Sequence, residues 1–138
     1  MIAACDAPTS GSLDPWCLVA PEDDQRCDLG ELADRFARCI RPRTGACASC
    51  HDATAPPALL KAPGPPWLDP DDSDATVRRV LELGLISARQ PTLTSLFLLK
   101  PSGTVSHTGG VHFTLDGPDG APWITFVEWA APCVSSRR

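Results

Sequence analysis

Cys47-Ala48-Ser49-Cys50-His51 is the one stretch of the chain whose residue types and spacing together specify a chemistry. Two thiols this close on a turn can each close a thioether on a haem vinyl group, and the adjacent His51 then offers a ring nitrogen to the iron. At this composition the pattern arises by chance in roughly one chain in a hundred. Three other readings compete: a redox-active dithiol, half of a zinc site, or a structural disulfide. The dithiol calls for alternating strands and helices around it, and zinc calls for a second close Cys/His pair. The sequence offers neither.

A haem iron held by His51 has a second axial position, filled in most electron carriers by Met or His. The only methionine is Met1, far from the motif in sequence, which leaves His107, His112 or an open position. His107 stands directly before Thr108-Gly109-Gly110, where small residues let the backbone approach a flat macrocycle. His112 alternates with Val111, Phe113 and the apolar set, so it is expected to face away from the core. His107 is the favoured ligand. A pair of imidazoles stabilises ferric iron more than a thioether does, which predicts a low-spin centre of lower potential than a His/Met one.

Haem c is attached outside the cytoplasm, so the remaining thiols are read in an oxidising compartment. Seven cysteines less Cys47 and Cys50 leave five. Cys5 ends the tetrapeptide Ile2-Ala3-Ala4-Cys5, which resembles the lipobox of bacterial lipoproteins and is followed by a polar, tether-like stretch; the alternative is an accidental match of small residues. Cys17, Cys27, Cys39 and Cys133 are then expected to form two bridges, in one of three pairings.

The elements that must position these groups read as helices. Asp28 caps a helix in which Leu29, Leu32, Phe36 and Ile40 recur at helical spacing, with Glu31/Arg35 and Asp34/Arg38 pairing on a solvated face. Arg41-Pro42-Arg43-Thr44-Gly45 ends it and delivers the chain into the haem motif. The run from Ala55 to Trp67 carries too many prolines for a helix and is expected as a rigid loop, with Leu59, Leu60 and Trp67 along the haem edge or in ordinary core packing. Ser73 or Asp74 caps a second helix that stops near Gly84. A third runs from Pro91 to Lys100, and a last from Pro122 to about Ala131, with Pro132 as its stop. Thr104 to Leu115 alternates like a hairpin or a loop with a short strand. The fold class is therefore mainly α with long Pro-rich loops, divided as a leader or tether over 1–27, a haem-binding domain over 28–133 and a polar tail over 134–138.

These pieces occur in a recognisable order. The helix Leu32–Ile40, the Cys47–His51 motif, Ser95-Leu96-Phe97-Leu98-Leu99-Lys100-Pro101, Ser106-His107-Thr108-Gly109-Gly110-Val111-His112-Phe113 and Phe126-Val127-Glu128-Trp129-Ala130-Ala131-Pro132 together resemble a c-type cytochrome domain of the planctomycete and myxobacterial type. The resemblance covers about residues 29–133. That family normally has Gly directly after the motif histidine, where this chain has Thr108. The resemblance implies a cytochrome c-like helical fold, covalent haem and a periplasmic or cell-envelope location.

The 138 residues carry 12 Lys and Arg against 17 Asp and Glu, a net charge of −5. No basic cluster exists to neutralise phosphates, so nucleic acid is not an expected partner. No apolar run spans a membrane, so any membrane attachment would be a lipid tether. The expected function is single-electron transfer between envelope redox partners that dock through basic patches, with no acid–base pair or nucleophile to indicate an enzyme. The competing functions are a haem sensor or peroxidase-like enzyme with an open distal site, and a haem-free extracellular binding module stapled by disulfides.

Overall fold

Asp28, in extended backbone, accepts the Glu31 N–H at 3.0 Å and so starts helix α1, Leu29–Arg35, where the capping pattern places it. In this computed structural model, residues 14–45, 47–61, 64–107 and 110–135 are described. Cys5, Met1 and the pair Thr108-Gly109 lie outside them. The helix expected to run evenly to Ile40 changes its winding: Phe36–Ile40 is a π turn in which the Arg41 N–H reaches back to the Phe36 carbonyl, and Arg41–Arg43 is a 3-10 turn. Pro42 has no N–H to continue an α-helix and its ring crowds the carbonyl four residues back, so the turns must loosen before it. Leu32, Phe36, Cys39 and Ile40 are buried on the inner face.

The outer face of α1 is not simply solvated. Arg35 is only 3% exposed. Its guanidinium lies 4.2 Å from the centre of the Trp16 ring and 3.8 Å from that of Trp129, while donating to Glu31 and to the Trp16 carbonyl. Arg38 turns away from Asp34 and pairs with Asp14 instead. These partners come from segments distant in sequence, Asp14 and Trp16 at the 3-10 helix Pro15–Leu18 and Trp129 near the C-terminal end of the described chain, which spacing along one helix could not reveal.

Of the three disulfide pairings, the structure forms Cys17–Cys39 and Cys27–Cys133. The first pins the 3-10 helix Pro15–Leu18 to the π turn, and the second ties the start of α1 to the last helix. Helix α2 is the single turn Ala48–His51. Helix α3, Ser73–Glu82, is capped by Asp72, one residue earlier than expected, and ends before Gly84. The expected helix from Pro91 to Lys100 is two short ones, α4 Pro91–Thr94 and α5 Leu96–Leu99, broken at Ser95. Buried Ser95 adopts extended backbone and its hydroxyl accepts the Ser87 N–H at 2.9 Å, a tertiary bond that replaces helical continuity.

Helix α6 spans Gly120–Ser135 and passes through Pro132 instead of stopping there. Proline removes one backbone bond, but the next residue is the fully buried Cys133, whose bridge to Cys27 holds the last turn in place. Trp123, Phe126, Val127, Ala130 and Cys133 form the stripe that faces α1, the π turn and α5. The chain is thus mainly helical, and no strand forms among the described residues; extended pairing is limited to one bridge between Asp52 and Leu68. In place of the expected hairpin or loop with a short strand over 104–115, the described residues, 104–107 and 110–115, form a loop without a strand. Its N–H groups go to the end of α5 and to its own turns, Val105 to Leu99, His112 to Pro101 and Gly110 to His107, so no partner strand is recruited. No helix among the described residues is long and apolar enough to cross a membrane.

Candidate functional site

Helix α2 carries Cys47 at its N-cap, with Cys50 and His51 three and four residues on, so the three side chains share one face. A helix this short leaves its terminal carbonyls without helical partners, and the Pro-rich loop returns to satisfy them. Lys61 donates to the Ser49 carbonyl at 2.8 Å, Gly64 to Cys50 at 2.9 Å and Leu68 to His51 at 3.0 Å. This return places the Pro65 carbonyl 2.8 Å from His51 Nδ1. With Nδ1–H donating there, Nε2 is left as the lone-pair nitrogen.

Gly64 is required by the same approach. A Cβ at this position would lie 2.5 Å from His51 Cε1 and 2.9 Å from Nδ1. Trp67, 5% exposed, packs against the imidazole with ring centres 5.4 Å apart and planes tilted by 32°. Burial, with the hydrogen bond to the Pro65 carbonyl opposing it and the neighbouring His107, Lys100 and His112 adding to it, pushes the His51 pKa below its ordinary value. His51 is therefore a neutral imidazole at pH 7.

Cys47, Cys50 and His51 open onto a cavity of about 400 Å³ whose other walls include Gly64, Pro65, Trp67, Leu85, Phe97, Lys100, His107 and Trp123. That volume lies within the range of small-molecule and cofactor sites. The far wall is held by backbone and ring contacts: Phe97 N–H donates to Leu85, Trp123 Nε1–H donates to the Phe97 carbonyl at 2.7 Å, and Phe97 sits between Trp67 and Trp123.

The structure brings His107 to His51. Their rings are nearly parallel, 11° apart, with centres separated by 6.0 Å. His107 Nδ1 lies 3.2 Å from the Gly110 carbonyl, so the second imidazole also has one nitrogen tied to backbone. His112, expected to point away, is half-buried and meets the His107 ring edge-on at 5.9 Å. Leu59 and Leu60 do not line the cavity, and Leu59 is 77% exposed; only Trp67 of that expected trio does. Cys47 and Cys50 take no part in the two disulfides. Cys5 lies outside the described residues.

Sequence reasoning missed Gly64, Pro65, Lys100, Phe97 and Trp123 as walls of this site. Only the Pro63-Gly64-Pro65-Pro66 run carried a signal, since a glycine flanked by stiff residues marks a close backbone approach. A tetrapyrrole fits the donor set: two thiols and a neutral imidazole on one face of a turn, a second imidazole across an apolar cavity, and one lysine. Among the described residues no three His, Cys, Asp or Glu side chains group to hold a metal ion unaided. A zinc site would need such a group, whereas a porphyrin brings four nitrogens of its own. No protein-family model, no curated protein and no solved structure matches the chain.

Proposed function

We propose that the chain is a monohaem c-type cytochrome of cytochrome c-like fold that carries single electrons between envelope redox partners. In this reading haem c is bound through Cys47 and Cys50, and iron is ligated by His51 and His107. The observation that carries it is the meeting of Cys47, Cys50, His51 and His107 on one aromatic-walled cavity, with the two imidazoles parallel and each tied to a backbone carbonyl through Nδ1. When bound, the group supplies a one-electron iron couple.

The chain's own residues do the rest. The Pro65 and Gly110 carbonyls select the tautomer that leaves Nε2 as a donor. Burial keeps His51 deprotonated and ready as a ligand. Trp67, Phe97 and Trp123 exclude water and lower the local dielectric, and Lys100 supplies a positive charge to the cavity for the carboxylates of a tetrapyrrole. The two disulfides support a periplasmic or extracellular setting. The net charge of −5 supports docking on basic patches, with association slowed by salt.

The test is an absorption spectrum, oxidised and reduced, after periplasmic expression with haem-attachment machinery, followed by acid–acetone extraction. Haem that resists extraction and gives sharp low-spin bands is expected. In His107→Ala the bands should turn high-spin, and carbon monoxide should bind without denaturant. A colourless protein would overturn the proposal in favour of a disulfide-stapled binding domain.

A further inference from the structure

We infer that His112 is a positioning residue that sets the plane of the His107 ring. This inference rests on the haem c reading, and it concerns how the second imidazole is oriented once it is a ligand. Nδ1 is tied to the Gly110 carbonyl at 3.2 Å, which restrains one edge of the His107 ring but leaves rotation about that hydrogen bond. The His112 ring closes off that rotation, lying against His107 at 5.9 Å with 61° between planes.

His112 is itself well anchored. Its N–H donates to the Pro101 carbonyl at 2.7 Å. The next residue, Phe113, is buried against Trp123 with ring centres 5.1 Å apart. The segment from Gly110 to Phe113 therefore grips His107 by a hydrogen bond at one end and a ring contact at the other. The result is the 11° angle between His107 and His51.

Parallel imidazole planes have an electronic consequence. Their π systems split the same pair of iron d orbitals in the same sense, whereas crossed planes cancel one another. Electron paramagnetic resonance of the oxidised, haem-loaded protein reads this directly. The wild type is expected to give a rhombic three-line low-spin signal. His112→Ala should stay low-spin, but its largest g value should rise and its line broaden as the ring plane is released. His112→Phe, which keeps a ring at the contact, should restore the wild-type g values. If His112→Ala accumulates poorly, His112→Asn, which lacks the ring, is read in the same way.

An unchanged signal in His112→Ala, or an equal shift in the Ala and Phe variants, would overturn the inference. A high-spin His112→Phe beside a low-spin His107→Ala would overturn it differently, by making His112 the ligand. Failure of the underlying haem reading is distinguishable, since the wild type would then carry no haem at all.

Discussion

Gly64 shows how one absent side chain can define a site. A methyl there would press on Cε1 and Nδ1 of His51, so the ring would have to leave the Pro65 carbonyl. Gly64→Ala is expected to lower the thermal midpoint relative to the wild type and, on the proposed haem c reading, to weaken His51 ligation and give a larger high-spin fraction in the absorption spectrum. Arg35 makes the opposite case, a charged residue that the interior needs. Held over both Trp16 and Trp129, it contributes cation–π and charge-assisted hydrogen-bond energy, and Arg35→Ala should cost about 2–4 kcal/mol in denaturant unfolding. Arg35→Lys should recover little of it, because a single ammonium cannot reach both rings and donate to Glu31 and the Trp16 carbonyl as the guanidinium does. At this scale local patterns in the sequence singled out Cys47, Cys50, His51 and His107, which the structure brings to the wall of one cavity. The sequence hid Lys100 and Phe97 as walls of that cavity and the ring contact of His112 with His107, all of which come from where other segments place them.

Helices announced themselves where capping and period agreed, and were misjudged where a distant contact intervened. α1 and α3 start at aspartates whose carboxylates accept a backbone N–H, within one residue of the expected caps. The stretch from Pro91 to Lys100 carries a continuous helical pattern, yet Ser95 breaks it to meet Ser87, a partner that no local rule supplies. Pro132 carried the strongest local stop signal and was overridden by a disulfide whose other half lies before α1. The start of α6 depends on Gly120, where a Cβ would strike the Thr114 carbonyl oxygen and sit 2.9 Å from that of Leu115. Both are backbone atoms with no flexible end to yield, so Gly120→Ala should destabilise the fold by about 1–3 kcal/mol in urea unfolding.

Across the whole molecule, two covalent links fix segments that noncovalent packing alone would hold less firmly. Cys17–Cys39 closes 22 residues and Cys27–Cys133 closes 106. By chain entropy the longer loop restricts the unfolded state more, so replacing Cys27 and Cys133 with alanine should cost about 1.4 kcal/mol more than replacing Cys17 and Cys39, measured by equilibrium unfolding. The four tryptophans divide between the two ends of this architecture. Trp16 and Trp129 clasp Arg35, while Trp67 and Trp123 wall the cavity. Intrinsic fluorescence is consequently a two-part reporter: a pigment entering the cavity darkens Trp67 and Trp123 at contact range, and loosening of the Arg35 clasp shifts the colour of the other pair. Filling and folding can thus be followed separately in an unlabelled sample, once single Trp→Phe variants assign the emission.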